Sequence, residues 1–169
     1  MDLSKFTERS RGFIQAAQTI AMRDNHQRLA PEHILKALMD DDQGLAGNLI
    51  KRAGGDPVRV AEATALAMGK IPKVSGDAGQ VYLDNVTVKV LDEAGKLATK
   101  AGDSFVPVER LLMALCMVKS PAKDALDAGA VTAQKLNEAI NDIRKGRTAD
   151  TASAEEGYDA LKKYAQDLT

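Results

Sequence analysis

The sequence predicts an all-α fold: two tandem four-helix units related by an approximate internal two-fold axis, followed by a linker and a short tail helix. Three observations predict it. Laid over itself with a shift of 77, the chain puts Phe13-Ile14 on Val90-Leu91, Ile20-Ala21 on Leu97-Ala98, Glu32 on Glu109, Ile34-Leu35 on Leu111-Leu112, Ala37-Leu38 on Ala114-Leu115 and Leu49 on Leu126. After a one-residue adjustment Val60 falls on Leu136, Ala63 on Ala139 and Ala67 on Ile143. A register held through successive amphipathic segments is the mark of an internal repeat. The second observation is spacing, since within each segment the apolar residues recur three and four apart, the period of a helix face. The third is composition. Apolar types make up 44% of the chain, yet there is no Trp and only three Tyr and three Phe, so the core is aliphatic and suited to helix-on-helix contact.

In the first unit, Thr7 is placed to cap a helix running to about Met22, with Ile14, Ala17 and Ala21 on one face. The polar stretch 23–28 breaks the period. Pro31 suits a first helical position and Glu32 favours the positive end of the helix dipole. That helix carries Ile34, Leu35 and Leu38 and stops at Asp40-Asp41-Asp42. A third helix spans 45–52 and ends at Gly54-Gly55, and Asp56-Pro57 starts the fourth, with Val60, Ala63 and Ala67 inward. The second unit repeats the plan over 84–100, 107–118, 121–128 and 132–145, with Thr132 as a cap and Gly146 as a stop. The units are thus 1–70 and 83–148, joined by a Pro/Gly connector over 71–82 that is expected to be extended and exposed. Residues 149–169 read as a polar acidic linker and the start of a further domain. There Tyr158, Leu161 and Tyr164 have helical spacing but no evident partner within the chain.

The formal charge is -1. It divides into -3 from Thr148 onward and +2 before it, too mild a balance to steer nucleic acid, and no aromatic stacking set is present. The single cysteine, Cys116, lies in the apolar run Leu111–Cys116 and reads as a reduced core residue, which fits the cytoplasm. No window approaches the length of a membrane span, and the N-terminus opens no signal segment.

Catalytic machinery is missing from the pattern. Gly54-Gly55-Asp56 lacks the basic residue of a phosphate loop, and Gly69-Lys70 is followed by Ile71. One Cys and two His do not make a zinc set. His26 and His33 are separated by Pro31, and His33 is expected at the edge of a packed helix. Asp40-Asp41-Asp42 lacks the closing Glu of a calcium loop, since the twelfth position is Lys51. No enzyme activity, cofactor or metal is therefore assigned to this chain.

The paired elements Leu29-Ala30-Pro31-Glu32-His33-Ile34-Leu35-Lys36-Ala37-Leu38 and Val106-Pro107-Val108-Glu109-Arg110-Leu111-Leu112-Met113-Ala114-Leu115 resemble the duplicated Clp repeat, the amino-terminal domain of the Clp ATPases. The connector Ile71–Gly76 and the tail Leu161–Thr169 are similar to those of the bacterial protein disaggregases in that family. The resemblance implies a substrate-binding domain that captures unfolded or aggregated polypeptide for the AAA+ modules of the same parent chain. That parent is expected to be a hexameric ATPase that uses ATP and magnesium and works with the DnaK system through regions absent here. The alternative within the family is an adaptor-docking domain of a protease-linked unfoldase.

The resemblance places substrate contacts at Thr7, Asp103 and Glu109, and a shallow apolar groove in the second unit lined or supported by Leu91, Leu97 and Leu111. Arg110 stands where some relatives carry an aliphatic residue and is expected to narrow the groove or bias its charge. Each residue also has a plainer reading. Thr7 can simply cap its helix, Glu109 sits in a first turn like its repeat mate Glu32, Asp103 is an ordinary turn residue, and the leucines have core spacing. Geometrically, the expectation is that Asp103 and Glu109 lie beside apolar surface and draw segments mixing basic and aliphatic residues.

Overall fold

The computed structural model describes residues 3–75, 80–145, 149 and 152. Among these are eight helices in two sets of four: α1 Glu8–Arg23, α2 Pro31–Met39, α3 Leu45–Arg52 and α4 Pro57–Gly69, then α5 Asn85–Lys100, α6 Val108–Met117, α7 Pro121–Ala128 and α8 Ala133–Arg144. The all-α expectation holds, and helix order is the same in both units. Caps fix the starts. The Thr7 hydroxyl accepts the Ser10 N–H at 3.2 Å, Asp56 accepts from Val58 at 3.0 Å, and Ser120 and Thr132 accept from Lys123 and Lys135 at 3.2 Å. Pro31, Pro57 and Pro121 occupy first-turn positions. The tail helix expected over 157–169, the stop assigned to Gly146 and connector residues 76–79 lie outside the described residues.

One aliphatic core runs through both units, with Ile14, Ile34, Leu38, Leu111, Leu115 and Leu136 among its fully buried side chains. Cys116 is buried in it, and burial pushes its thiol up to about 12, so it is an inert core thiol. At the seam between α4 and α7, the Asp56 N–H donates to the Gly129 carbonyl at 2.9 Å. A Cβ at Gly129 would stand 2.9 Å from the Asp56 carbonyl, so only glycine lets the two loops close.

The sequence carries no strand signal, and the structure adds two strands of two residues each. β1 (Arg28–Leu29) pairs in parallel with β2 (Tyr82–Leu83) in the register Arg28↔Tyr82 and Leu29↔Leu83. A further parallel bridge joins Phe6 to Val106. Under the 77-residue shift the pairs Phe6–Val106 and Leu83–Leu29 are the same pair exchanged between units. The supporting bonds repeat as well. The Thr7 N–H donates to the Val106 carbonyl at 3.0 Å and Asp84 N–H to that of Leu29 at 3.2 Å. The Ser10 hydroxyl donates to the Val106 carbonyl at 2.9 Å, and the Thr87 hydroxyl to that of Leu29 at 2.6 Å. Each unit's lead-in therefore clasps the other unit through hydrogen bonds, which gives the expected internal two-fold relation a crossed form.

The tail helix, expected to have no partner within the chain, lies outside the described residues, but the polar linker before it is tied to the body at the two residues described. The Ala149 N–H donates to Asp103 Oδ1 at 2.7 Å, and the Ala149 and Ala152 carbonyls accept from Phe105 and Glu8 at 2.8 Å each. The physical reason is that the lead-in and the turn before α6 offer unpaired N–H groups at one place, and the returning chain satisfies them.

Candidate functional site

The turn after α5 builds the site. Gly102 takes the left-handed conformation (φ 83°) that ends the helix. The next residue, Asp103, donates its N–H back to the Ala98 carbonyl at 2.8 Å, which turns its side chain inward. Arg144, on the last turn of α8, meets that carboxylate with two nitrogens: Nη1 donates to Oδ2 at 2.9 Å and Nη2 to Oδ1. Arg110 Nε lies 3.8 Å from Asp103 Oδ2, and Arg144 Nη1 lies 3.5 Å from Glu109 Oε1. Arg110 Nη1 also donates to Asn137 Oδ1 at 2.9 Å. Burial raises the Glu109 pKa while the Arg144 and Arg110 charges draw it back down. Two carboxylates and two guanidiniums are thus locked together beneath the surface.

Each predicted site residue has a definite place. Thr7 is buried, and its hydroxyl caps α1. Leu111 is fully buried core. Leu91 is buried at the wall of a hollow of about 780 Å³ beside α5, whose other walls include Phe6, Phe105 and Val106. Leu97 and Arg110 line a second cleft of about 500 Å³ between α5, α6 and α8, with Met113, Met117 and Ala133. The geometry expected for Asp103 and Glu109 needs correction. Their side chains are 0% and 7% exposed, so they are buried together with Arg110 and Arg144 rather than facing a client. Arg144 was missed. Its signal was present in the sequence, because it falls on the inward positions 136, 140 and 144 of α8, where a charge demands a buried counter-charge.

The equivalent turn in the first unit carries different chemistry. Asn25 (φ 58°) matches Gly102, and His26 and His33 match Asp103 and Arg110. His26 Nδ1 lies 2.7 Å from His33 Nε2, and His33 Nδ1 accepts the Ala30 N–H at 2.9 Å. A nitrogen that accepts carries no proton, so His33 is protonated at Nε2 and donates to His26. Both rings are neutral and both are buried, so His33 is not at a helix edge as its sequence context suggested. Burial lowers the pKa of both, that of His33 to about 4.

Among the described residues no group of three or more His, Cys, Asp or Glu side chains could hold a metal ion. No helix among them is long and apolar enough to cross a membrane. What the second unit offers is two hollows beside α5 with apolar side chains and a few fixed polar groups in their walls.

Comparison with known proteins agrees with the architecture. Residues 5–129 match the Clp repeat (R) N-terminal domain. Over its whole length the chain is 61% identical to the chaperone protein ClpB of Rhodopseudomonas palustris, and 59% identical to that of Mesorhizobium japonicum. It spans 20% of the length of each. The Hsp104 N-terminal domain from Candida albicans superposes with a TM-score of 0.79 at 22% identity, over 89% of this chain and 99% of that one. A complex of a ClpV N-domain with a VipB peptide superposes with a TM-score of 0.68 at 18% identity, over 89% of this chain and 96% of that one. The chain belongs to the Clp repeat N-terminal domain family.

Proposed function

We propose that this chain is the client-capturing amino-terminal domain of an ATP-driven protein disaggregase. It would hold unfolded or aggregated polypeptide for AAA+ modules of the same parent protein, with hydrolysis and cooperation with the DnaK system residing in those other regions. The observation that carries the reading is the pair of clefts flanking the last turns of α5, both walled by side chains such as Leu91, Phe105, Leu97 and Met113. Shallow apolar surface with few polar fixings discriminates weakly between sequences, which suits a domain that must accept many unfolded chains. The ClpB name of the relatives and the peptide held by the ClpV N-domain support the same reading.

The test is backbone amide shift mapping during titration with a reduced, carboxymethylated model protein. Shifts should concentrate on α5, the start of α6 and α8. Absence of shifts at saturating client, or shifts confined to α3 and α4, would overturn the proposal. Docking of a single folded adaptor is the second reading, favoured by the one defined peptide partner of the ClpV N-domain. Binding to one partner but to none of several unrelated unfolded proteins would establish it instead.

A further inference from the structure

The cleft between α5, α6 and α8 has an apolar wall and a polar one that includes Gln134, Asn137 and Asn141, and among the described residues its charged groups all have one sign. Leu97, Met113 and Met117 form the apolar part, with Met117 43% exposed. Thioether side chains adapt to varied apolar partners, so this wall sets little sequence preference by itself. The charged side chains that line the cleft are Lys100, Arg110 and Arg144. Among the described residues no carboxylate lines it. Asp103 and Glu109, which pair with the guanidiniums, are buried with them. Arg110 Nε, itself buried, has no hydrogen-bond acceptor. The Arg110 and Arg144 guanidiniums are buried with those counter-ions in the floor of the cleft, so the exposed charge at its rim is that of Lys100, which presents a positive potential to whatever enters.

The positive edge continues past the cleft. Lys100 also lines the neighbouring hollow, together with Lys5 and Lys96. The exposed acid there, Asp92, is tied to Lys96 at 3.4 Å. The first unit differs: its hollow beside α1 and α2 is lined by Asp40 and Asp41 against a single Arg9. The cationic lining therefore belongs to the clefts beside α5, not to the domain as a whole.

We propose that the α5–α6–α8 cleft selects its clients by charge, taking apolar segments that carry Asp or Glu and disfavouring those flanked by Lys or Arg. This rests on the client-capture reading and gives it a substrate class. It reverses the preference expected from the sequence, because the carboxylates that would have attracted basic segments are the buried ones. Apolar contact supplies the attraction common to all clients, and the cationic rim supplies the difference between them.

The experiment uses the chain of residues 1–169 and two labelled peptides with one apolar core, flanked either by Glu or by Lys, with binding read by fluorescence anisotropy at two salt concentrations. The Glu-flanked peptide should bind roughly fivefold more tightly at low salt, the size expected of a few exposed charge contacts. That preference should shrink as salt rises. Lys100→Glu should abolish or invert it, and because Lys100 is exposed the substitution leaves the buried cluster intact. Lys51→Glu makes the same charge change on α3 of the other unit and should leave the preference in place. Equal binding of the two peptides, or tighter binding of the Lys-flanked one, overturns the charge selection while client capture stands. Equal loss of preference in Lys51→Glu and Lys100→Glu overturns the site by assigning the effect to net charge. Failure of both peptides and of the unfolded model protein to bind overturns client capture, and this inference with it.

Discussion

The turn after α1 and the turn after α5 share one backbone and differ in everything chemical. Asn25 and Gly102 both end their helices in the left-handed region, and the residues that follow, His26 and Asp103, both donate an N–H five residues back at 2.8 Å. In each unit the chain leaving the fourth helix returns to this turn: Val74 N–H donates to the Asn25 carbonyl at 2.9 Å, as Ala149 N–H donates to Asp103. Yet one turn holds two neutral imidazoles and the other holds four ionisable groups of both signs. The duplication has kept the hydrogen bonds that shape the chain and left the enclosed side chains free to diverge. The unit with the paired charges is also the one bearing both clefts beside α5.

The sharpest test of that contrast is to remove Arg144, which has no counterpart in the first unit. Arg144→Ala leaves Asp103 buried without its two-nitrogen partner, a loss of about 3–5 kcal/mol. Urea denaturation should show it, with the melting temperature falling by roughly 10 °C or more. A loss under about 1 kcal/mol would mean that water reaches the carboxylate and that the network is not sealed.

Acid should attack the other unit. The folded-state pKa of His33 lies near 4 against an ordinary 6.5, so between those values the unfolded chain binds a proton that the folded chain refuses. Stability from this pair is therefore complete above pH 6.5 and is lost as pH falls toward 4, by ~1–3 kcal/mol. Asp24 favours the charged form of both rings, Lys73 opposes it at His26, and Glu32 with its neighbour Asp84 stands close by on the α2 side. Glu32 and Glu109 both have raised pKa values from burial and so act in the opposite sense, but they occur once in each unit and cancel from the comparison. Protection of the amides across 24–33, measured against their intrinsic exchange rates, should fall between pH 7 and 5 while that across 101–110 does not. His33→Gln keeps an acceptor for Ala30 and should flatten the response.

The clasp hydroxyls should behave alike in the two units. Ser10→Ala and Thr87→Val each remove one hydroxyl-to-carbonyl bond and should each cost ~1 kcal/mol by denaturant titration. A difference of more than about 1 kcal/mol between them would show that the two crossings are not equivalent.

The smallest effect belongs to the returning chain. Ending the protein at residue 148 removes the Ala149 and Ala152 contacts and should lower the melting temperature by roughly 2–4 °C, whereas ending it at 153 should change nothing measurable. Equal melting curves for the two lengths would show that these contacts carry no stability.

Much of this was legible because the signals were local or repeated. Pro31, Pro57, Pro121 and the caps Thr7, Asp56 and Thr132 mark helix starts by the chemistry of a few adjacent residues, and the 77-residue register marks the duplication. The strands escaped notice because two residues have no period. The His26–His33 contact has no signature in the sequence, since a turn that folds one ring back on another across Pro31 is a tertiary fact with no spacing rule. The buried cluster was half seen. Asp103, Glu109 and Arg110 stood out through the family resemblance, but without Arg144, 41 residues away from Asp103 in sequence, nothing showed that the carboxylates would be covered.

The crossed pairing of Phe6 with Val106 and Leu29 with Leu83 also sets a timetable. During synthesis the first unit lacks its closing edge until Leu83 has left the ribosome, and the opening residues wait longer still, for Val106. Neither half can be completed and set aside while the other is made. The newborn domain must therefore hold Leu29, Ile34 and Leu35 on an unfinished core across that interval, and its two crossings can close only in turn. A domain proposed to catch exposed apolar chain thus passes through that same condition on the way to its own fold.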